Sequence, residues 1–316
     1  MFRQNNLFIM RIAHIADLHF TTFFKDNNLF QIEKVLRHSI DTGCDHIVIT
    51  GDLTDNADKK DFSILRKLFA GLNLLDSKKL SIVIGNHDIF GGVQTAEDII
   101  KFPIKCSRTN YHRKVKEFYQ YFPELFEGCA YFDPKRIFPF AKIINGFLIV
   151  GANSIAKYSK ITNPFASNGK VNKHQLNDIQ NIFERFNGYK KIVLIHHHFN
   201  KMKAADGSTL NFWQKIEKQT MKLRKKKKLL KLFNQYGVEI VLHGHYHESS
   251  KYRRKGIFFS NAGASLKGNI KDELNINVVD ISDSSTEINI VTFSSIENEV
   301  YETNLLPDKD YRLQAI

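Results

Sequence analysis

Apolar residues fall in two rhythms along the chain, short runs suited to strands and longer stretches spaced like one face of a helix, and the two alternate. Residues 11–16 (RIAHIA) predict a strand, Phe30 to Asp41 a helix, and the β-branched run His46 to Thr50 a second strand. From Asp58 to Leu75 the apolar positions Phe62, Leu65, Phe69 and Leu72 keep a 3-4-3 spacing that suits one helix face, and Leu80 to Ile84 predicts a third buried strand. Such alternation implies a parallel core sheet.

Residues 101–135 break the rhythm with a segment rich in aromatic and basic residues, which reads as an inserted helical lid or cap; the plainer reading makes Val115, Phe118 and Phe122 the buried stripe of an ordinary amphipathic helix. KIINGFLIV is apolar on both sides of Asn145-Gly146, a strong hairpin signal that adds antiparallel strands. Lys173 to Phe186 predicts a helix and Lys191 to Ile195 a strand. Residues 201–235 read as a long polar helical stretch in which positions 222–231 hold seven basic residues and no acid, a pattern typical of a solvated helix face. A strand at 238–242, a hairpin across Arg253 to Lys255 and strands near 274–281 and 286–293 complete one domain over residues 1–293, followed by an acidic tail at 294–316.

The 316-residue chain is 42% hydrophobic, which supports a full core, and its net charge of +13 favours anionic partners. Cys44, Cys106 and Cys129 are scattered without a C-x-x-C spacing, so neither a disulfide framework nor a cysteine zinc site is indicated and a reducing compartment fits. No stretch reaches the roughly 18 apolar residues of a membrane span, and the start is too short for a secretory signal. The protein reads as soluble and cytoplasmic, with Met10 as an alternative start and residues 1–9 as an extension.

Chemistry is concentrated at five polar clusters that each follow an apolar strand: Asp17-Leu18-His19, Gly51-Asp52-Leu53-Thr54-Asp55, Gly85-Asn86-His87-Asp88, His196-His197-His198 and His243-Gly244-His245-Tyr246-His247. In an α/β sheet, functional groups gather beyond the carboxyl ends of strands, so all five can converge on one rim. Asp17-x-His19 and His245-x-His247 place side chains two residues apart, pointing to the same side in extended backbone. Gly51, Gly85 and Gly244 stand where the chain must turn sharply. Carboxylate, imidazole and one amide suit Mn, Fe, Zn or Ni better than Ca, and the set exceeds what one ion needs, which points to two metals. Eight of the thirteen histidines lie in these clusters. By contrast His14 and His46 read as structural, and His243 as no more than a supporting residue.

The ordered motifs D-x-H, G-D-x-x-D, G-N-H-D, a histidine after a strand, and G-H-x-H resemble those of the calcineurin-like metallophosphoesterases, over residues 17–247. The resemblance implies a four-layer α/β/β/α sandwich of two mixed sheets, here with a helical insert, carrying a dinuclear centre at the carboxyl rim. It implies one metal held by Asp17, His19 and His247, another by Asn86, His196 and His245, and Asp52 bridging both. It further implies His87 as the acid near the leaving group, with Asp88 orienting it. His197 or His198 takes the place of His196 if the strand runs longer, and Asp55 is assigned a supporting or helix-capping role.

GKVNKHQLNDIQ, VEIVLHGHYHES, ADLHF and TGDLTD are similar to the branch containing class III cyclic nucleotide phosphodiesterases. That resemblance implies attack by a metal-bridging hydroxide on a small nucleotide-like phosphodiester, with two divalent or mixed-valence ions, Mn, Fe or Zn. The alternatives are a nuclease, motivated by the basic run at 222–231, and a non-catalytic phosphate or nucleic-acid binding module. A protein phosphatase lacks its arginine-bearing motif here, since Asn56 follows Asp55 and Asp88 stands where Glu is expected. Contact with an anionic membrane is a further option.

Overall fold

The structure, a computed structural model, describes residues 9–23, 28–93, 96–200, 221–266 and 273–295. Two mixed sheets form its centre. The first contains β1 (Ile9–Ile15), β2 (His46–Ile49), β3 (Leu80–Ile82), β12 (Glu273–Ser282) and β13 (Thr286–Ser294), in the order β13-β12-β1-β2-β3. The second contains β4 (Phe140–Ile144), β5 (Phe147–Ala152), β7 (Lys190–Ile195), β9 (Val238–His243), β10 (Ser250–Arg254) and β11 (Ile257–Asn261), in the order β10-β11-β9-β7-β5-β4. Parallel runs, β1-β2-β3 in one sheet and β5-β7-β9-β11 in the other, are continued by antiparallel pairing at the β12-β13 edge of the first and at both edges of the second, while β3 ends the first sheet as a parallel edge.

Strand alternation explains the layering. Phe147 and Ile149 of β5 and Ile192 and Leu194 of β7 join the main core between the sheets. Leu148, Val150, Val193 and Ile195 point the other way, onto α6 (Lys173–Arg185) and α7 (Lys226–Gln235) through Ile179, Ile182, Phe183, Leu229, Leu230 and Phe233. On the outer side of the first sheet lie α1 (Leu29–Asp41) and α2 (Lys59–Gly71), the latter capped by Asp58, whose carboxylate accepts the Lys60 N–H. Helix, sheet, sheet, helix is the architecture expected from the motifs.

The Asn145-Gly146 hairpin forms as expected, with both residues at positive φ (45° and 81°). The second hairpin turns at Lys255-Gly256, later than expected, because these are the two residues that adopt positive φ. The insert is not a separate lid. After α3 (His87–Phe90), α4 (Ala96–Arg108), α5 (Tyr111–Tyr121) and a short 3-10 helix (Pro123–Phe126) deliver Phe102, Phe118, Phe122, Leu125 and Phe126 into the main core. The plainer reading of Phe118 and Phe122 therefore holds, because a stripe this apolar is stable only when buried.

The long basic helix is corrected as well. Residues 201–220 lie outside the described part, and beyond them Leu223–Arg224 form β8, which pairs with β6 (Gly169–Lys170). Lys225 is left-handed (φ 58°) and ends any helix before Lys226. What remains, α7, buries its leucines on the second sheet and leaves Lys227, Lys228 and Lys231 exposed. Among the described residues no helix is long and apolar enough to cross a membrane.

Candidate metal centre

All five polar clusters leave the carboxyl ends of parallel strands, β1, β2, β3, β7 and β9, and the two sheets bring those ends together. Backbone bonds tie the loops: Asp17 N–H donates to Gly51 O (3.1 Å), His19 N–H to Asp52 O (2.9 Å) and Gly244 N–H to His196 O (3.0 Å). The His245 N–H donates to the Asp17 carboxylate at 2.9 Å, joining a loop of the first sheet to one of the second. Asp17, His19, Asp52 and His245 all hold positive φ (52°, 45°, 51° and 69°), a conformation that costs energy outside glycine and persists where surroundings enforce it. Gly85 is required by proximity, since a Cβ there would lie 2.0 Å from Asp52 Oδ1.

Three groups of ligand atoms result, one of them made by His19, Asp55 and His87. Those of Asp17, His19 and His247 lie within 4.8 Å of one another, as do those of Asp52, His196 and His245. His19 Nε2 is 3.2 Å from His247 Nε2, and Asn86 Oδ1 is 3.0 Å from His196 Nε2. Asp52 Oδ2 stands between these last two groups, 3.9 Å from His19 Nε2 and 3.4 Å from His196 Nε2. His19 and His247 face solvent more than the others, whereas Asp17, Asp52, His196 and His245 are buried.

His196 shows why this arrangement calls for a cation. Its Nδ1–H donates to the Thr50 carbonyl at 2.8 Å, which leaves the lone pair of the neutral ring on Nε2. That lone pair faces the Asn86 amide oxygen and the Asp52 carboxylate, both acceptors. Acceptors converge on a point only when a positive charge occupies it. Among the described residues the buried His245 Nε2 has no hydrogen-bond partner, as suits a metal ligand, and the donor set of imidazole, carboxylate and amide oxygen fits a borderline metal. Without a metal the same acceptors hold a proton in that position: burial opposes charge on His196, but Asp52 and Asp17 outweigh it and raise its pKa to about 9. Burial pushes Asp17 up to about 8 despite His196. Asp52 is also penalised by burial, yet His196 and His87 hold it well below the usual carboxylate range.

His87 stands at the edge of this centre, its ring 4.5 Å from that of His19. Its Nδ1 donates to Asp55, 3.0 Å from the carboxylate and 3.1 Å from the backbone carbonyl, and its N–H donates to Asp52 Oδ1 at 2.8 Å. Burial disfavours the imidazolium, but Asp52 and Asp55 together raise its pKa to about 9. Asp88 does not perform the orienting role inferred from the motif. Its carboxylate accepts from Thr54 N–H and Gly85 N–H, both at 2.9 Å, and so braces two loops against each other. Asp88 points into the strand ends because it lies in the first turn of α3, one residue past His87 and on another side of the helix.

The neighbouring histidines separate cleanly. His197 bonds Ser154 Oγ (2.8 Å) and Ser167 O (3.1 Å), and His243 bonds the Tyr252 hydroxyl (2.8 Å). His198 is buried with its ring 6.0 Å from that of His245. Sequence reasoning overlooked Thr50, whose carbonyl sets the His196 tautomer, and Asn261, whose amide donates to the Tyr246 and Glu248 carbonyls at 2.6 Å and holds the His245 loop. Asn261 ends β11, so the rule that located the other clusters, a polar residue after an apolar strand, would have found it.

The family model for calcineurin-like phosphoesterases matches residues 10–249. Among solved structures, a dimetal phosphatase from Danio rerio is similar in fold, with a TM-score of 0.52 and 12% identity, over 90% of this chain and 99% of that one. The calcineurin-like phosphoesterase YfkN from Bacillus subtilis aligns with a TM-score of 0.43 and 13% identity, over 92% of each chain. No curated protein matches the chain in sequence.

Proposed function

The chain belongs to the calcineurin-like phosphoesterase family, and we propose that within it the protein is a dinuclear-metal phosphodiesterase acting on a small, nucleotide-like phosphodiester. The observation that carries this reading is the position of Asp52 Oδ2 between His19 and His196, where one carboxylate serves both ligand groups. Asp17, His19 and His247 would hold one ion, and Asn86, His196 and His245 the other. When bound, two such ions, Mn, Fe or Zn, neutralise phosphoryl oxygens and lower the pKa of a water nucleophile.

The chain's own residues supply the rest. Thr50 fixes the His196 tautomer, and the Asp17 carboxylate, by accepting from His245 N–H, holds the two ligand loops at a set spacing. Asp52 and Asp55 raise the pKa of His87 to about 9, and with Nδ1–H committed to Asp55 its Nε2–H is the one left for a leaving oxygen. The leaving alkoxide of an unactivated ester needs that proton, which makes His87 the general acid and Asp55 the residue that positions it.

The test is hydrolysis of a chromogenic phosphodiester against the matching monoester by metal-stripped protein reloaded with Mn, beside Asp52→Ala. Expected are metal-dependent cleavage favouring the diester, metal content near two ions per chain, and a ~10²–10³-fold loss of kcat with reduced metal content in the variant. Absence of turnover with Mn, Fe and Zn alike would overturn the proposal.

A further inference from the structure

Helix α7 starts against the local rules of helix stability. Its first turn holds Lys226, Lys227 and Lys228 and no acid, although the positive end of the helix dipole disfavours cations there. The N-cap is Lys225, left-handed at φ 58° and without a side-chain cap bond, where Ser, Asp or Asn would stabilise the helix. Just before it β8 pairs with β6, which sets Lys170 opposite Arg224. One turn into α7, Lys231 joins Lys227 on the outward side. Together Lys170, Arg224, Lys225, Lys227, Lys228 and Lys231 make an exposed basic face.

Among the described residues none of these six cations forms an ion pair. Helix α6 packs beside α7 through Phe183 and Phe233, whose rings are 6.3 Å apart, and both of its carboxylates are engaged. Asp178 pairs with Arg136 at 2.9 Å, and Glu184 accepts from the Tyr236 hydroxyl at 2.6 Å. Residues 201–220 add four lysines against Asp206 and Glu217, so the sequence between α6 and α7 brings no surplus of acid. The face also adjoins the metal centre. A Cβ at Gly169, the residue before Lys170, would come within 2.5 Å of His197 Cγ, and the His197 ring is 4.3 Å from that of His245. Lys226 stands close enough to His198 to add to the burial that lowers its pKa to about 4.

We propose that this face docks nucleic acid, holding its phosphate backbone beside the metal centre through Lys170, Arg224 and the lysines of α7. The inference goes beyond the phosphodiesterase reading and does not depend on it. Cations that repel one another and oppose their own helix dipole are stabilised when a polyanion lies across them, and local rules give way where a binding surface requires it. A strand with one charge per nucleotide meets several of these groups at once and releases its condensed counterions, a gain that a single small anion does not give. Lysines end in point charges on flexible stems, so the face grips backbone phosphates and reads no base edges. An anionic membrane fits less well. A helix that binds one inserts a free apolar side, and Leu229, Leu230 and Phe233 of α7 are already packed on the second sheet.

The experiment is fluorescence anisotropy of a labelled single-stranded DNA of mixed sequence, about 20 nucleotides long, titrated with full-length metal-stripped protein at several salt concentrations. The slope of log K against log salt should be near −0.7 for each phosphate contacted, about −3 for roughly four. Lys227→Gln/Lys228→Gln/Lys231→Gln should bind about tenfold more weakly or worse at ~0.1 M salt, with a slope shallower by about 2. Lys67→Gln/Lys78→Gln/Lys79→Gln removes the same charge from exposed lysines elsewhere and should bind nearly as the wild type does. Absence of salt-dependent binding, or an equal loss in the two variants, overturns the docking face. So does sedimentation with phosphatidylserine vesicles that the α7 variant loses while its strand binding is unchanged. The α7 variant should melt at or above the wild-type temperature, because it removes cations from a helix N-terminus; a lower value would show that the lysines serve stability instead. With Mn-loaded protein that variant should cleave the chromogenic diester at the wild-type rate, and a parallel loss would place the lysines in the small-substrate site and overturn a separate face. If the wild type cleaves no diester while strand binding persists, the phosphodiesterase reading fails and the docking face stands.

Discussion

Two sets of histidines occupy this molecule, and they are wired in opposite ways. Inside the sheets, His14 bonds Ser260 Oγ at 2.9 Å and Thr50 Oγ1 at 3.0 Å, while His46 bonds Lys78 O at 2.7 Å and Ser81 Oγ at 2.8 Å. Every ring nitrogen there meets a hydroxyl or a carbonyl, so a neutral imidazole is satisfied in place. At the carboxyl rim, ring nitrogens face each other or face acceptors: His19 against His247, and His196 against His245, Asn86 and Asp52. Interior histidines thus complete a hydrogen-bond network, whereas those at the rim leave one incomplete for a cation to fill.

The largest effect expected from this contrast follows from Gly85→Ala, whose Cβ would press on Asp52 Oδ1. Diesterase kcat should fall by ~10²–10³-fold, with metal content reduced. His14→Gln, at a site equally buried, should lower the melting temperature but leave metal content per folded chain intact. Loss of metal from His14→Gln would erase the distinction between the two sets.

A smaller effect separates the two carboxylates beside His87. Asp55→Asn should cost ~10–100-fold in kcat for alkyl leaving groups and much less for p-nitrophenolate, which departs without a proton. Asp88→Asn should loosen the Thr54 and Gly85 braces, reducing stability while keeping the wild-type dependence on leaving group. The reverse pattern in a leaving-group series would return the orienting role to Asp88.

The smallest effect is in the pH dependence of stability, measured on metal-stripped protein as the urea midpoint. Burial lowers the pKa of both His14 and His46 to about 3, and Lys142 adds to the effect on His46. Stability from these two is fully present above about 6.5, the unfolded value, and is lost as pH falls from there toward 3, with a slope of up to ~1.4 kcal/mol per pH unit for each. His87 and His196 are raised to about 9, so their contribution is full below about 6.5 and is lost as pH rises toward 9. His46→Gln should flatten the acid limb and leave the alkaline limb alone; flattening of both would show that the two sets titrate as one.

Much of the metal centre is legible in the chain, because Asp17, His19, Asp52, Asn86, His196, His245 and His247 each stand one to four residues beyond an apolar strand. Strand periodicity locates the strand, and the first polar residues after it have little choice but to lie at its carboxyl end. The partner of His87 is different. Asp88 adjoins it in sequence, yet Asp55, on another loop, supplies the carboxylate. A one-residue step on a helix turns the side chain by about 100°, so adjacency in sequence argues against shared direction. The insert leaves two readings open in sequence for a related reason, since aromatic and basic residues interleave along α5 and only packing shows that Phe118 is buried while the lysines are not.

The sequence by itself determined the order of strands and helices, the identity of the ligand-bearing loops and the family, because these depend on local periodicity and on residue types at short spacing. Tertiary structure alone decided that Asp52 stands between two ligand groups and that Asp55 rather than Asp88 serves His87. These are contacts between segments far apart in the chain. They follow from how two twisted sheets stack and where their loops meet, which no local pattern encodes.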